Sequence, residues 1–263
     1  SPFRVELGAD GPNYSDFGGY ESVVERARDL IATQLEQADA MREIGAAPVR
    51  GVLFSGPPGT GKTFLARIIA QHSAAAFFLV NGPSIISKYL GDTERALRSM
   101  FDEAASCERA IIFIDEIDAI AQNRSQDVHE QSRKLVAQLL TLMDGFQNAG
   151  GNVVVVAATN RVETLDPAVT RPGRFDWTID FGLPTRDDRL AILESRAAAM
   201  TTDDDLDLVA IAEKTSDWTA ADLELLWREA ALLALKDSRR SVAGEDIERA
   251  LAHVSRRKRE RST

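Results

Sequence analysis

The sequence predicts an α/β fold, in which a parallel sheet flanked by helices is followed by a small all-helical domain. Up to about residue 182, apolar strand-like runs alternate with helical patterns, which is typical of a parallel sheet. Beyond that point apolar residues recur at helical spacing without a strand-like run. The length of 263 residues exceeds the commonest domain size and favours one large domain with a smaller one.

The first strand is predicted at residues 51–55, and it leads into a glycine-rich loop at residues 56–63 with the sequence GPPGTGKT. Residues 64–70 are predicted to form a helix. Glycines let backbone N–H groups turn inward around a phosphate, and a helix N-terminus favours the same anion. An ordinary glycine turn is the alternative. The pattern and both of its flanks favour a nucleotide site.

Two side chains of this loop have predicted roles. The ammonium group of Lys62 is expected to bridge the β- and γ-phosphates of the nucleotide. The hydroxyl of Thr63 is expected to take one coordination position on Mg²⁺, a hard cation that prefers oxygen ligands.

A second apolar run, residues 110–114, ends in Asp115 and Glu116. Ligand sites of open α/β sheets lie at the carboxyl ends of strands. Asp115 is expected to hold Mg²⁺ through water, and Glu116 to orient or deprotonate the water that attacks the γ-phosphate. Alone, the pair would fit an acidic turn equally well. Beside a phosphate loop it indicates hydrolysis rather than binding alone.

A third apolar run, residues 153–158, is followed by Thr159 and Asn160. The side-chain amide of Asn160 is expected at the same sheet edge, where it can hold the attacking water. Because asparagine is also common in turns, Asn160 alone is weak evidence for this role. The phosphate loop and the two carboxylates are what support it.

Together these segments resemble an AAA+ ATPase, and more narrowly the valosin-containing-protein group, from about Asp16 to the last helix. The further matching segments are residues 16–19 (DFGG), 77–83 (FFLVNGP), 139–146 (LLTLMDGF), 158–161 (ATNR) and 171–176 (RPGRFD). The resemblance implies a P-loop NTPase sheet with a helical lid, and ATP or ADP with Mg²⁺ as cofactors. The implied divisions are an N-terminal extension or linker at 1–15, a nucleotide-binding domain at 16–184, a lid at 185–256 and a basic tail at 257–263.

The resemblance also implies which residues contact the nucleotide. They are Asp16, Phe17, Gly18, Pro57, Pro58, Gly59, Thr60, Gly61, Lys62, Thr63, Phe64, Ala220 and Ala221. The family pattern predicts Gly where this chain has Ala220. The added methyl group changes a place where the backbone approaches the base, so affinity or base selectivity is expected to differ.

Four further residues receive roles from the resemblance. Arg171 and Arg174 would be arginine fingers that reach the γ-phosphate of a neighbouring subunit, so that hydrolysis requires a homo-hexamer. Two arginines that form salt bridges at the surface of a Pro-Gly turn are the alternative. Asn160 matches the family's sensor position. Asn81 matches the asparagine that engages the catalytic glutamate, although a polar residue in a turn is the alternative for it.

Lys88, Tyr89, Leu90 and Gly91 fall where the family carries its pore loop. Tyr89 would contact a polypeptide threaded through the ring, because a flat aromatic ring packs against many kinds of side chain. The alternative is that Tyr89 packs against its own domain.

Composition excludes several classes of protein. The net charge of −10 makes nonspecific binding to nucleic acid unfavourable, and the basic run at 256–261 is interpreted as a solvated helix end or linker. The single cysteine, Cys107, excludes an intramolecular disulfide, and the three scattered histidines do not have zinc-ligand spacing.

No apolar run approaches the roughly 18 residues of a membrane helix, and there is no signal-peptide pattern, so a soluble cytoplasmic protein without membrane contact is expected. The chain begins at Ser1 without methionine and has no substrate-recruiting domain. It is therefore expected to be a piece of a longer protein, whose other parts bind protein substrates and adaptors.

The leading hypothesis is an Mg²⁺-dependent ATPase whose hexameric ring unfolds, threads or disassembles protein substrates. The alternative is a nucleotide-regulated scaffold or assembly module with slow hydrolysis and no threading. A third possibility is a nucleic-acid-remodelling protein, which salt-sensitive DNA binding would reveal. A GTPase is disfavoured, because residues 160–163 (NRVE) differ from the NKxD arrangement that reads guanine.

Overall fold

The computed structural model describes residues 2–8, 10–88, 92–121, 130–145 and 152–261. By its internal contacts the chain forms two compact units. The first unit comprises Ser1–Asn13, Glu21–Gly56 and Lys62–Phe181, and the second comprises Tyr14–Tyr20, Pro57–Gly61 and Gly182–Thr263. Two short segments that precede residue 182 thus group with the C-terminal helices. The family-based boundaries at 184 and 256 stay a prediction.

In the described part of the chain, the first unit contains one mixed sheet of six strands. They are β1 (Arg4–Val5), β2 (Gly51–Ser55), β3 (Ala76–Asn81), β4 (Arg109–Asp115), β5 (Asn152–Thr159) and β6 (Trp177–Asp180). The strand order is β1-β3-β4-β5-β2-β6. All neighbours pair in parallel except β1 and β3, which are antiparallel. The predicted parallel α/β arrangement is confirmed, with one antiparallel strand added at its edge.

The strand at that edge was not predicted. Arg4 pairs with Phe78 and Val5 with Phe77, so part of the predicted N-terminal extension belongs to the sheet. A strand of two residues is too short to show an alternating or continuous apolar pattern. Its pairing depends on β3, which lies more than 70 residues further along the chain.

The helices between β2 and β5 make the crossovers that parallel pairing requires, and the described part of the first unit has five α-helices in all. They are α1 (Glu21–Glu43), α2 (Lys62–His72), α3 (Gly82–Lys88), α4 (Thr93–Ser106) and α5 (Glu130–Gly145). All five residues of β2 are buried, and so are residues 153–159 of β5. These continuous apolar strands are typical of a parallel sheet that is covered on both faces.

The register of the parallel strands brings their carboxyl ends together. Asn81 at the end of β3 is the neighbour of Asp115 at the end of β4. Ser55 at the end of β2 is the neighbour of Thr159 on one side and of Asp180 on the other. The sheet therefore presents its polar strand ends in one row.

The second unit is helical between residues 182 and 261, all of which the structure describes. Its helices are α6 (Arg186–Ala198), α7 (Leu208–Lys214), α8 (Ala220–Lys236) and α9 (Gly244–Arg261). Capping boxes begin α6 at Thr185 and α8 at Thr219. Residues 257–261, which were predicted as a basic tail, continue α9. Among the described helices, none is both long and apolar enough to cross a membrane.

Candidate active site

The phosphate loop begins at a glycine that no other residue can replace without strain. Gly56 has φ +127°, and a Cβ atom there would overlap the carbonyl oxygen of Phe181. The N–H of Phe181 donates to the carbonyl oxygen of Ser55 at 2.7 Å, which fixes the end of β2 beside the end of β6. The start of the loop therefore has a defined position at the sheet edge.

Lys62, the first residue of α2, is buried with only 7% of its surface exposed. Its Nζ donates to the carbonyl oxygen of Gly56 at 2.8 Å and to Oδ1 of Asn160 at 3.2 Å. Burial lowers the pKa of Lys62, while the negative charges of three aspartates, Asp115, Asp118 and Asp180, oppose that shift. An anionic phosphate beside Nζ would favour the charged form further.

The next residue, Thr63, lies beside the predicted metal-binding carboxylate. Its Oγ1 donates to Oδ2 of Asp115 at 3.0 Å. The N–H of Glu116 donates to the other oxygen, Oδ1, at 3.0 Å and so orients the carboxylate. A hydroxyl and a carboxylate in contact supply the hard oxygen donors that Mg²⁺ prefers, so these residues fit that ion.

Glu116 itself has an unusual backbone. Its φ of 52° and ψ of 48° place it in the left-handed region, and its side chain is exposed. Its carbonyl oxygen accepts from the N–H of Ala119 at 2.9 Å, which closes the short helical turn Ile117–Ala119. A non-glycine residue in this region costs on the order of 1 kcal/mol or more, and such residues concentrate at functional sites. The sequence pattern did not indicate this conformation.

Residues at the start of α3 also lie close to Glu116. A Cβ atom on Gly82 would lie 2.5 Å from the Glu116 carbonyl oxygen, so the absence of a side chain allows this approach. Asn81 accepts a hydrogen bond from the N–H of Ser84 through Oδ1 at 3.0 Å. That bond matches the turn role that was the alternative for Asn81. The predicted contact of Asn81 with Glu116 stays a prediction.

A polar cluster that the sequence did not suggest holds the end of β5. Asp118 is 8% exposed and accepts a hydrogen bond from Oγ1 of Thr159 at 2.9 Å. The same hydroxyl accepts from the N–H of Arg161 at 3.0 Å. These bonds fix the residues on both sides of Asn160 against the turn that follows Glu116. The only signal in the sequence was an aspartate three residues after Asp115.

The middle of the phosphate loop belongs to the second unit. Gly59 has φ +77°, and its carbonyl oxygen accepts from the N–H of Ala221 at 3.0 Å. Gly61 has φ +94°, and a Cβ atom there would lie 2.7 Å from the ring of Phe17. Thr60 Oγ1 donates to the carbonyl oxygen of Pro57 at 3.0 Å. The structure thus brings Phe17 and Ala221 to the loop.

The structure also shows where the other residues lie that were predicted to contact the nucleotide. Asp16 ends the short helical turn Tyr14–Asp16, and a Cβ atom on Gly18 would overlap the backbone of Ile192. Pro58 is an exposed loop residue, Phe64 is 38% exposed on α2, and Ala220 is the first residue of α8. Their contact with nucleotide stays a prediction.

The two candidate arginine fingers differ. Arg174 donates to the carbonyl oxygen of Ala168 and to Oδ2 of Asp144, both at 3.0 Å, and is 24% exposed. Arg171 is exposed, and its guanidinium has no ion pair with another described residue. Arg174 therefore matches the salt-bridge alternative within its own chain, and Arg171 is the one whose side chain faces solvent. A role in trans stays a prediction for both.

Among the pore-loop residues, Lys88 is the last residue of α3. Tyr89, Leu90 and Gly91 lie outside the described residues. The threading role assigned to them stays a prediction.

Comparisons with known proteins agree with the geometry. Residues 52–183 match the family described as the ATPase family associated with various cellular activities (AAA), and residues 205–249 match the AAA+ lid domain. The first match covers the phosphate loop and the parallel strands from β2 to β6, and the second covers α7, α8 and the start of α9.

Three similar proteins span archaea and yeast. The chain is 44% identical over 226 residues to Protein CdcH of Halobacterium salinarum, covering 86% of the chain and 30% of that protein. It is 45% identical over 233 residues to the Cell division cycle protein 48 homolog of Archaeoglobus fulgidus, covering 89% and 32%. It is 45% identical over 229 residues to the ATPase family gene 2 protein of Saccharomyces cerevisiae, covering 85% and 29%.

The chain spans about a third of the length of these curated relatives, so it corresponds to one module of such a protein. The phosphate loop, the carboxylates at the end of β4 and the two family matches agree. The chain belongs to the AAA family of ATPases.

Proposed function

We propose that this chain hydrolyses ATP with Mg²⁺ as one subunit of a homo-hexameric ring, and that the ring unfolds, threads or disassembles protein substrates. ATP hydrolysis is supported best by two hydrogen bonds at one edge of the sheet. They join Lys62 to Asn160 and Thr63 to Asp115. The assembly and the substrates rest on family membership and on the arginines at 171 and 174.

The phosphates of ATP would bind along the loop at residues 56–63. Backbone N–H groups of the loop would donate to the phosphate oxygens, and the partial positive charge at the start of α2, which begins at Lys62, would lie beside them. Lys62 already lies at the sheet edge with its ammonium among acceptors, so it requires little rearrangement to contact the γ-phosphate. Preorganised charge of this kind favours the transition state.

Thr63 and Asp115 are the residues that would hold Mg²⁺, which when bound neutralises charge on the phosphate oxygens. Their side chains hydrogen-bond to each other at 3.0 Å. The N–H of Glu116 keeps the Asp115 carboxylate oriented.

Glu116 would take the proton from the attacking water. Its side chain is exposed, and its backbone is held by the turn that follows β4. Asn160 accepts from Lys62 through Oδ1, so its amide NH₂ group remains to donate to the water or to a phosphate oxygen. A positioned general base of this kind contributes about 10²- to 10⁴-fold in rate.

Hydrolysis would require a neighbouring subunit if an arginine of the 171–174 turn stabilises the transferred phosphoryl group. Arg171 suits this role better than Arg174, because Arg174 is engaged with Asp144 of its own chain. Protein substrates would pass the pore residues 88–91, and parts outside this chain would recruit substrates and adaptors.

A nucleotide-regulated scaffold with slow hydrolysis is the second candidate. The pairing of Arg174 within its own chain favours it, since an arginine held in this way is not available to a neighbour's phosphate. The rate of ATP turnover in the assembled protein distinguishes the two functions.

Three variants test the proposed chemistry. Lys62→Ala is expected to lose ATP binding, measured by calorimetry, because it removes the charge that contacts the phosphates. Glu116→Gln is expected to bind ATP normally and to lose turnover by about 100-fold or more, because it removes the base. Glu163→Gln, an equal change in an exposed turn at residues 162–164, serves as the control and should behave as wild type. Wild-type turnover in Glu116→Gln would disprove the assignment of the base.

A further inference from the structure

The end of α9 is tied to the start of α8 through Lys258. Its Nζ lies 2.5 Å from Oδ2 of Asp222 and donates to the carbonyl oxygen of Asp217 at 3.3 Å. The ammonium also lies 5.5 Å from the centroid of the Trp218 ring, and Trp218 is buried. Lys258 is thereby held by a carboxylate, a carbonyl and an aromatic face, although neighbouring residues of α9 are exposed.

The carboxylate that Lys258 contacts also begins α8. Oδ2 of Asp222 accepts from the N–H of Thr219 at 2.9 Å and from its Oγ1 at 3.1 Å, while the N–H of Asp222 donates back to Oγ1 at 3.3 Å. A cation near a helix N-terminus is unfavourable by itself, and the Asp222 charge offsets this cost. The salt bridge and the capping box therefore share one oxygen atom.

The same first turn of α8 holds the phosphate loop. Ala221 donates its N–H to the carbonyl oxygen of Gly59 at 3.0 Å. A Cβ atom on Gly59 would lie 2.8 Å from the methyl group of Ala221, so the two backbones are packed closely. Because Gly59 has φ +77°, its carbonyl direction depends on this contact as well as on its own freedom of rotation.

We propose that Lys258 is a positioning residue for ATP binding: through Asp222 it fixes the first turn of α8, and through Ala221 that turn fixes Gly59 of the phosphate loop. All four residues belong to the second unit. The proposal rests on the proposed function of the loop in binding ATP. The last helix would then influence nucleotide affinity, although its basic end was interpreted from the sequence only as a solvated helix end or linker.

The effect should appear in binding and not in the chemical step. Lys62, Thr63, Asp115 and Glu116, which would carry the reaction, make none of these contacts. If Gly59 is held less firmly, the loop binds ATP and the transition state more weakly by the same amount. The Kd and the KM for ATP therefore rise, while kcat stays the same.

Lys258→Met tests the proposal, because it keeps the aliphatic stem beside Trp218 and removes the charge. It should raise the Kd and the KM for ATP by about fivefold with kcat unchanged, as expected for loss of one charged hydrogen bond that acts at a distance. Lys258→Arg should restore most of the affinity, since a guanidinium also reaches the carboxylate. Arg257→Met, an equal charge change on an exposed neighbour, should bind ATP as wild type does.

A double-mutant cycle tests the route through Asp222. In an Asp222→Asn background, Lys258→Met should add no further loss of ATP affinity. A full additional loss would overturn the proposal, and so would wild-type affinity in Lys258→Met or an equal loss in Arg257→Met. If Lys258→Met does not fold by circular dichroism, Lys258→Gln takes its place with the same expectations.

Wild type and Lys62→Ala in the same titration separate this proposal from the proposed function. If both bind ATP equally, the phosphate loop is not the site and the proposed function fails. If Lys62→Ala loses ATP and Lys258→Met does not, only the role of Lys258 fails.

Discussion

At the scale of single residues, Glu116 combines exposure with a left-handed backbone. Surface residues usually relax to ordinary dihedral angles, but the hydrogen bond from Ala119 and the bond to Asp115 hold this one in place. Strain of this kind persists only where the surrounding structure fixes it. We infer that the fold gives up stability to keep the Glu116 carboxylate at the end of β4.

The variant Glu116→Gly tests the effect of the left-handed backbone on stability separately from the role of the carboxylate in ATP turnover. Glycine adopts φ near +52° without strain, so the variant should be more stable by about 1 kcal/mol, which is roughly 2–4 °C in melting temperature. ATP turnover should fall as in Glu116→Gln. Thermal unfolding without nucleotide measures the first effect. Glycine also costs roughly 0.5–1 kcal/mol through the entropy of the unfolded chain, so a destabilisation as large as this in Glu116→Gly would show that the left-handed backbone is not strained.

Residue spacing in the sequence identified the core of the site, and the structure shows why. Lys62 and Thr63 follow a loop of fixed length, and Asp115 follows a buried strand, so short-range spacing determines their positions. Asp118 and the Asp144–Arg174 pair were missed because their partners lie 41 and 30 residues away. Single-sequence patterns carry little information about such contacts.

At the scale of helices and strands, the parallel register explains how separate segments form one site. The predicted runs at 51–55, 110–114 and 153–158 are strands in the structure, with β4 and β5 each longer by one residue at both ends. Their polar residues meet because parallel strands end on the same edge. The order of the strands was not predictable, since several orders place the same residues at that edge.

The start of α9 depends on a buried ion pair. Asp246 is fully buried and accepts from Arg239 at 2.5 and 2.7 Å and from the N–H of Ala243 at 3.0 Å. Hydrogen bonds from Arg239 hold the pKa of the Asp246 carboxyl below its usual value. Because the folded pKa is depressed, the stabilisation is complete above the ordinary pKa of about 4 and is lost as pH falls through the folded pKa.

Asp246→Asn should therefore destabilise the protein in a pH-dependent way. At pH 7 we expect a melting temperature lower by about 5 °C or more, because Arg239 keeps Asp237 and Glu245 but loses Asp246, the buried one of these three carboxylate partners. The difference from wild type should shrink as pH falls from about 4 towards the depressed folded pKa, because the unfolded wild-type chain binds the proton first and the folded carboxyl binds it only at lower pH. Thermal unfolding of both proteins from pH 7 to pH 3 measures this. A difference that stays constant with pH would show that the charge of Asp246 is not involved.

At the scale of the whole molecule, the chain is one ATPase module with a net charge of −10. Family membership explains why an α/β sheet is followed by a helical region. The match at 52–183 falls on the sheet, and the match at 205–249 falls on the C-terminal helices. The relatives are about three times as long as this chain. The choice of protein substrate is therefore proposed to reside in regions outside the 263 residues.

The measurement that decides between a shared and a self-contained site is ATP turnover per chain as a function of protein concentration, with sedimentation of the same samples. An equal mixture of Arg171→Ala and Glu116→Gln chains extends it, since some interfaces would then join an intact arginine to an intact base. We expect turnover to rise cooperatively as a hexamer forms, and the mixture to be more active than either variant alone. Turnover that is independent of concentration in a monomer, with a mixture no more active than its components, would contradict hydrolysis at interfaces between subunits.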